Sequence, residues 1–374
     1  MRSAGPFQVR PFVVLKDLGY DDNIRFESQT QEGDTTATGG GGVEAVLLAR
    51  NRGGLRLSQE LDYVAFQKNT DLNHWNGSGR ARGILLLKRG VLSLEDRFTS
   101  DRERPSSEID LRLRRRNNAV TAAFRTINRG RLGLRAHLRD ERIDYATGVP
   151  STVDVGKRLS RGETTLSVIG EMRVLPKTTL TLEGAVTRIQ FDDPTQDRNT
   201  RKRAILPGFR FDPSAAVQGE FRAGPLVMTA LDRADSDYHG IVGDGHLATR
   251  LGHAGRLNGG FERVVDFSTL GNNLFYVGSE WSASYEQFFS RKVSGELQYS
   301  RGLNHYPKQV QSAQTPGLLL IRDDHLTTWQ ATVRIKANPQ MTIVASAYHT
   351  TRDSTDDYYD RDRNFYTFGT TYTF

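Results

Sequence analysis

The 374-residue chain contains no cysteine, which removes disulfides, thiolate metal sites and thiol nucleophiles, and which suits an oxidising compartment where stray thiols are a liability. Apolar residues are also scarce. At 37% they fall short of what two or three soluble domains of about 150 residues would need for their cores. Long hydrophobic runs are missing as well: the longest are stretches such as Ile84–Leu87 and Leu318–Ile321, far from the roughly 18 residues of a membrane helix, so helical membrane proteins are excluded. No basic-then-apolar leader precedes Phe7, so the chain is either cytosolic or has had a signal peptide replaced by an initiating Met, and the second reading is preferred. No residue pattern for a metal or cofactor is present either: Gly39–Gly42 lacks the Lys-Ser/Thr of a phosphate loop and reads as a flexible loop, and the eight histidines are scattered.

What the sequence does have is alternation. Leu132, Leu134, Ala136 and Leu138 face one way and Arg131, Gly133, Arg135, His137 and Arg139 the other, which is the period of a strand with one apolar and one charged face. The same pattern recurs in Val293, Gly295, Leu297 and Tyr299 against Ser294, Glu296, Gln298 and Ser300. It recurs again in Ile109, Leu111 and Leu113 against Glu108, Asp110, Arg112 and Arg114. Across Arg114–Asn118 the apolar phase then flips to Val120, Ala122 and Phe124, which reads as a bulge within a strand over 107–127.

Short connections with turn chemistry alternate with longer polar ones. Asn51-Arg52-Gly53-Gly54, Lys88-Arg89-Gly90, Asn128-Arg129-Gly130, Pro176-Lys177 and Gly252–Gly255 are of the first kind. Tyr20–Gly42, Lys68–Gly77, Tyr145–Arg161, Asn304–Ile321 and Arg352–Asn364 are of the second. Short on one side and long on the other predicts an all-β, transmembrane, antiparallel up-and-down barrel of about 18 strands, with 16 to 20 compatible, in one domain over residues 1–374 of the bacterial outer membrane. Only a closed sheet satisfies every backbone group in lipid, and only every second residue then needs to be apolar. A soluble propeller would show a repeat of about 40 to 50 residues, and none is visible.

Facing the lumen, the alternation places Arg97, Arg112, Arg114, Arg125, Arg135, Arg139, Arg173 and Arg334, with Glu95, Glu108, Glu171 and Glu183 among the acids. Their first expected role is bracing the wall with cross-strand ion pairs; their second is a basic ladder for an anionic solute. Tyr366, Phe368, Tyr372 and Phe374 alternate up to the terminal phenylalanine and look like the signal read by the barrel assembly machinery. Two weaker constellations are noted: Asp235, Asp237 and His239 for catalysis, and Asp353, Asp356, Asp357, Asp360 and Asp362 for calcium. Neighbouring serines and solvated loops account for both more simply. His74, Trp75, Tyr306, Tyr358 and Tyr359 read as a girdle before a sugar platform.

The opening strand followed by Tyr20-Asp21-Asp22-Asn23, the segment Gly219–Thr269 with its glycine-bearing strand, acidic tip and Glu262-Arg263, and the segment Ser284–Tyr306 together resemble the β-barrel porin 2 group, the EpsL-like porins of exopolysaccharide operons. The resemblance implies secretion of an exopolysaccharide through a passive pore, with no catalytic motif and no enzyme activity. It also implies partners in outer-membrane lipid, an anionic polysaccharide and periplasmic export proteins rather than nucleic acid. The net charge, 51 − 44 = +7, is consistent with an anionic partner. The alternatives are a general uptake porin, which ought to show an inward-folding loop, and a membrane-embedded enzyme or a structural barrel anchoring an extracellular assembly.

Overall fold

The computed structural model describes every residue except 1, 5–6, 29, 50–51, 106–107, 110, 128–129, 147–154, 233–235 and 271–272. Asp110, Asp235, Asn51 and the Asn128-Arg129 turn lie outside the described residues, as does the middle of the Tyr145–Arg161 connection.

Eighteen long strands of 12 to 15 residues form one antiparallel sheet. In chain order they are β1 (Phe7–Asp21), β2 (Asp34–Leu48), β3 (Gly53–Phe66), β4 (His74–Leu87), β5 (Gly90–Glu103), β6 (Leu113–Thr126), β7 (Leu132–Tyr145), β8 (Arg161–Leu175) and β9 (Thr178–Phe191). They continue as β10 (Thr200–Phe211), β11 (Val217–Ala230), β12 (Tyr238–Leu251), β13 (Gly255–Phe267), β14 (Phe275–Phe288), β15 (Val293–His305), β16 (Asp323–Lys336), β17 (Met341–Ser354) and β18 (Arg361–Thr373). Each pairs with its sequence neighbours, and β1 pairs with β18 from Phe12–Thr373 to Asp21–Phe365, so the sheet closes on itself. Connections run two to five residues on one side and six to seventeen on the other. The short side is periplasmic and the long side extracellular. The only α-helix among the described residues is the single turn Val155–Leu159.

The faces follow from the pleat. On β5, Leu92, Leu94 and Phe98 are exposed, and on β9, Leu180, Leu182 and Val186 are; these belong to the lipid-facing set, while the residues between them line the lumen. Glu95 and Arg97 on β5 and Glu183 on β9 thereby point inward, as Arg125, Arg135, Arg139, Glu171, Arg173 and Arg334 do on their strands. Tyr366, Phe368 and Tyr372 fall on the lipid-facing side of β18, and Phe374 is exposed just beyond it.

Several expectations are corrected by the register. The 107–127 segment is not one bulged strand: β6 begins at Leu113 and pairs without a shift from Gly90–Thr126 to Glu103–Leu113. Ile109 and Leu111 stand before it in the loop, where Ile109 packs with Leu113, Ile143, Tyr145 and Leu159. The apparent phase flip is the boundary between loop and strand. As a consequence Arg114 shares parity with Val120, which is 42% exposed, and stands on the outward face, not in the lumen. Gly39–Gly42 is also strand rather than loop, since β2 starts at Asp34; the ring of Phe12 lies where a Cβ at Gly42 would stand, 2.6 Å from its Cζ. The bulges are elsewhere, in β1 between Leu15 and Gly19, where Asp17 takes φ 49°, and beside Thr178.

Facing sets the cost of a charge. Replacing Leu182, which is lipid-facing, by Arg should lower stability by about 2–4 kcal/mol, whereas Thr181→Arg, one residue away on the lumen face, should cost roughly 0.5 kcal/mol or less. Urea unfolding from lipid vesicles measures both.

Candidate lumen and mouth of the channel

Most of the inward charge is paired across strands. Glu95 accepts Arg80 at 2.7 Å and Arg97 at 3.3 Å, with Arg82 at 3.7 Å. Glu171 is shared by Arg135 at 2.5 Å and Arg210 at 2.6 Å. Glu183 pairs with Arg222, which also donates to Asp244 at 2.7 Å, and Arg334 reaches Glu296 at 2.9 Å. Arg139 pairs with Glu141 at 2.8 Å. A half-buried guanidinium beside two carboxylates, or a carboxylate between two guanidiniums, holds its partners by charge-assisted hydrogen bonds and fixes long side chains against the wall.

Toward the periplasmic end the balance changes. A cavity of about 590 Å³, bounded below by the Pro176-Lys177 and Asp212-Pro213 turns, is lined by Arg125, Arg135, Arg173, Lys177, Arg210 and Arg256, with Glu220 as an acid beside them. Arg135 and Arg210 are committed to Glu171. Arg125, Arg173 and Arg256 make no ion pair and no side-chain hydrogen bond among the described residues.

At the extracellular end the loops fold inward. Pairing between β12 and β13 stops at Gly243–Arg263, although β12 continues to Tyr238 and β13 to Phe267. Above that point Val265, Phe275 and Val277 have the parity of Trp281, which is 63% exposed to lipid, yet they are buried against the inward-facing Leu206, Met228 and Val242. Both facts hold together only if the top of the β13–β14 hairpin leaves the wall and leans into the lumen. Lys202 secures it by donating to the Val265 carbonyl at 2.7 Å, and Arg198 by donating to the Ser268 carbonyl at 2.5 Å. The Arg198 guanidinium lies over Phe191 and Phe267, 4.7 and 5.9 Å from their centroids, and burial pushes its pKa down to about 10.

The leaning hairpin meets the opposite side. Glu108 accepts the backbone N–H of Thr269 at 2.5 Å and its hydroxyl at 2.7 Å. The 104–112 loop joins β5 to β6 and the 268–274 loop joins β13 to β14, so eight of eighteen strands separate them and the contact crosses the mouth. From the same 104–112 loop, Arg104 and Arg112 donate to the Ile24 carbonyl at 2.8 and 3.4 Å, and Arg112 stands 3.9 Å from Asp21. Burial, and then the neighbouring Arg363, lowers Arg112 to about 10. The 306–322 loop joins in: Asn273 donates to Lys308 at 2.8 Å and accepts from it at 2.8 Å. Arg322, fully buried, makes a bidentate pair with Asp324 at 2.8 and 2.7 Å and lies 3.5 Å from the Tyr359 centroid.

Residues singled out in the sequence take varied places. Tyr306 is buried against Tyr276 and Arg322, and burial raises its phenol. Trp75 is lipid-facing and packs on Tyr63, 5.0 Å between centroids. His74 faces the other way, its Nδ1 2.7 Å from the Leu72 carbonyl. Asp237 accepts the Ala230 N–H, and His239 pairs in register with Val227 on the outward side. Asp356 and Asp360 accept backbone N–H groups of Ala313 and Ser354, and no group of three potential metal ligands exists among the described residues. The motif Tyr20-Asp21-Asp22-Asn23 is a latch: Asp21 takes Arg363 bidentately at 2.9 and 2.6 Å, Asp22 takes Asn364 through both N–H groups at 2.7 Å, and Asn23 donates to the Asp362 carbonyl at 2.8 Å. It ties the top of β1 to β18. The inward hairpin had no signal in its own strands, because its apolar residues alternate just as lipid-facing ones do; the signal lay in the apolar lumen-facing Leu206, Met228 and Val242.

A closed antiparallel barrel with an apolar outer band, a charged lumen and loops folded into its outer mouth has the build of a porin of the bacterial outer membrane. Within that class, the model of the family described as "Putative beta-barrel porin 2" matches residues 2–374, and the chain belongs to that family. No curated protein matches it. Among solved structures it is similar to OccK1 (OpdK) of Pseudomonas aeruginosa, with a TM-score of 0.54, 12% identity and 98% of each chain covered. It is similar also to OpdK of that organism crystallised with vanillate, with a TM-score of 0.52, 12% identity and coverage of 98% of each chain. OccAB3 of Acinetobacter baumannii aligns with a TM-score of 0.52 and 9% identity over 98% of this chain and 99% of that one. These likenesses concern the fold.

The bridge across the mouth gives a direct expectation. Glu108→Ala removes two hydrogen bonds to a carboxylate, each worth about 1.5–3 kcal/mol, and frees the 268–274 loop. Single-channel recording should then show a higher mean conductance than the wild type, with the barrel still folded by its heat-modifiable migration on gels.

Proposed function

We propose that the protein is a passive porin through which small solutes, anions in preference to cations, diffuse into the periplasm. The observation that carries this reading is the Glu108–Thr269 contact across the mouth. Loops joined over a lumen leave narrow paths beside them, which suits small solutes and suits an exopolysaccharide chain less. The inward-leaning β13–β14 hairpin is the kind of narrowing element expected of an uptake porin. Polysaccharide secretion, the expectation drawn from the resemblance to EpsL-like porins, fits this mouth less well, because the 104–112, 268–274 and 306–322 loops would all have to swing out for a polymer to pass.

Charge supports the anion preference. A solute that clears the mouth descends past paired arginines to the cavity lined by Arg125, Arg173 and Arg256, which make no ion pair or side-chain hydrogen bond among the described residues. Rings of unneutralised guanidinium in a confined lumen attract anions and repel cations. The neighbour crystallised with vanillate shows a barrel of this fold in the presence of a small aromatic carboxylate.

Bilayers under a salt gradient test the reading. The wild type should give a reversal potential on the chloride side, and the triple variant Arg125→Glu, Arg173→Glu, Arg256→Glu should shift it toward cations. Swelling of proteoliposomes in monosaccharides and small carboxylates, with none in a large polysaccharide, is the accompanying expectation. A barrel that passes no ions, or a deletion strain that loses polysaccharide secretion while keeping solute uptake, would overturn the proposal.

A further inference from the structure

The outward face carries a second site, independent of which way solutes move. Arg114 and Arg116, the second and fourth residues of β6, stand at its extracellular edge on the lipid-facing side, six and four residues above the exposed Val120. At roughly 2.5 Å of height per residue of a tilted strand, Arg116 lies about 10 Å above that apolar level, where the hydrocarbon of the outer leaflet gives way to headgroups. Neither makes a hydrogen bond or an ion pair through its side chain among the described residues. The acid nearest to them on this face, Asp144, is the register partner of Arg116 on β7 and is held by Arg142 at 2.8 Å; Asp96, on the register line of Val120, pairs with neither arginine.

Below the two guanidiniums is a groove. It has a volume of about 520 Å³ and runs down the outer wall between Leu61 and Phe98, with Trp75 at its upper end. Its floor is glycine: register lines Leu61–Gly77–Ser100–Arg116 and Gln59–Gly79–Phe98–Asn118 put Gly77 and Gly79 where a lipid-facing strand would ordinarily carry large apolar side chains. A Cβ added at Gly79 would meet nothing within 4 Å, and one at Gly77 would meet only Leu61 Cδ1 at 3.8 Å. Neither glycine has a positive φ, so neither is required by the backbone. Glycine in a strand interior weakens it and, where no turn explains it, leaves room for something that approaches closely.

We infer that this face binds a phosphorylated, acylated glycolipid of the outer leaflet, a diphosphoryl lipid A, with one acyl chain in the Gly77–Gly79 groove and a headgroup phosphate between Arg114 and Arg116. Guanidinium matches phosphate oxygens with parallel charge-assisted hydrogen bonds. A groove apolar at depth and cationic at its rim selects a ligand apolar at one end and anionic at the other. Free inorganic phosphate would leave the groove empty, and an uncharged lipid would leave both arginines bare.

Native mass spectrometry of the detergent-purified barrel, titrated with diphosphoryl lipid A and with its dephosphorylated form, tests this. Wild type should retain the diphosphoryl lipid, and Arg114→Gln with Arg116→Gln should lower the bound fraction about tenfold or more, as loss of two charge-assisted contacts implies. Gly79→Leu, which fills the groove and leaves both arginines in place, should lower it as well, and wild type should hold the dephosphorylated lipid no better than the double variant holds the diphosphoryl one. Ion conductance should be unchanged in every variant that shows heat-modifiable folding. Equal retention by wild type and the folded double variant, equal retention of the two lipids, or arginine-dependent dimerisation in place of lipid binding would each overturn the inference.

Discussion

Everything in this barrel depends on the closure of β1 on β18. In hydrocarbon an unpaired backbone N–H or C=O costs several kcal/mol, so an open edge of a dozen residues is untenable and the sheet must find its own first strand. The seam is the one pairing between strands distant in sequence, and its ladder carries a register shift between Leu15 and Leu18. Its extracellular end is locked by side chains: Asp21 to Arg363, Asp22 to Asn364, Asn23 to the Asp362 carbonyl. A carboxylate as buried as Asp21 is costly without its cation. The latch therefore favours one register of β1 against β18 over slips that would separate the pair.

Closure also explains what was legible in the sequence. A sheet with lipid on one side and water on the other must alternate, and a chain made of hairpins must carry turn residues between strands; both signals are local, so Leu132–Arg139 and Gly252–Gly255 could be read directly. Strand ends were less legible. Ile109 and Leu111 continue the pattern of Leu113 by coincidence, because a loop buried in the mouth also uses apolar residues. Reading them as strand put Arg114 on the wrong face. The glycines of 39–42 argue locally for a loop, and only the adjacent strands show why Gly42 has no side chain: the Gln59 carbonyl on one side and the ring of Phe12 on the other fill its place.

The tertiary excursion of β13 and β14 could not be read from those two strands. Val265 and Val277 keep the parity of lipid-facing residues, and nothing local distinguishes an apolar residue that meets lipid from one that meets the inner wall. The difference lies in the partners, Leu206, Met228 and Val242, which are apolar residues in lumen-facing positions of three other strands. That was the available signal: where a run of inward positions turns apolar, something apolar must cover it.

The distribution of charge then follows from where water can reach. At the mouth, loops exclude solvent, so cations such as Arg322, Arg198 and Arg112 survive only by stacking on aromatic rings and binding carboxylates or carbonyls, and they act as fasteners. In the mid-lumen, arginine and glutamate neutralise one another along the wall. Near the periplasmic turns Arg125, Arg173 and Arg256 line an open cavity and make no ion pair or side-chain hydrogen bond among the described residues. An arginine is available to a passing anion only where the protein has no use for it as a fastener, and in this lumen that condition is met at the periplasmic end.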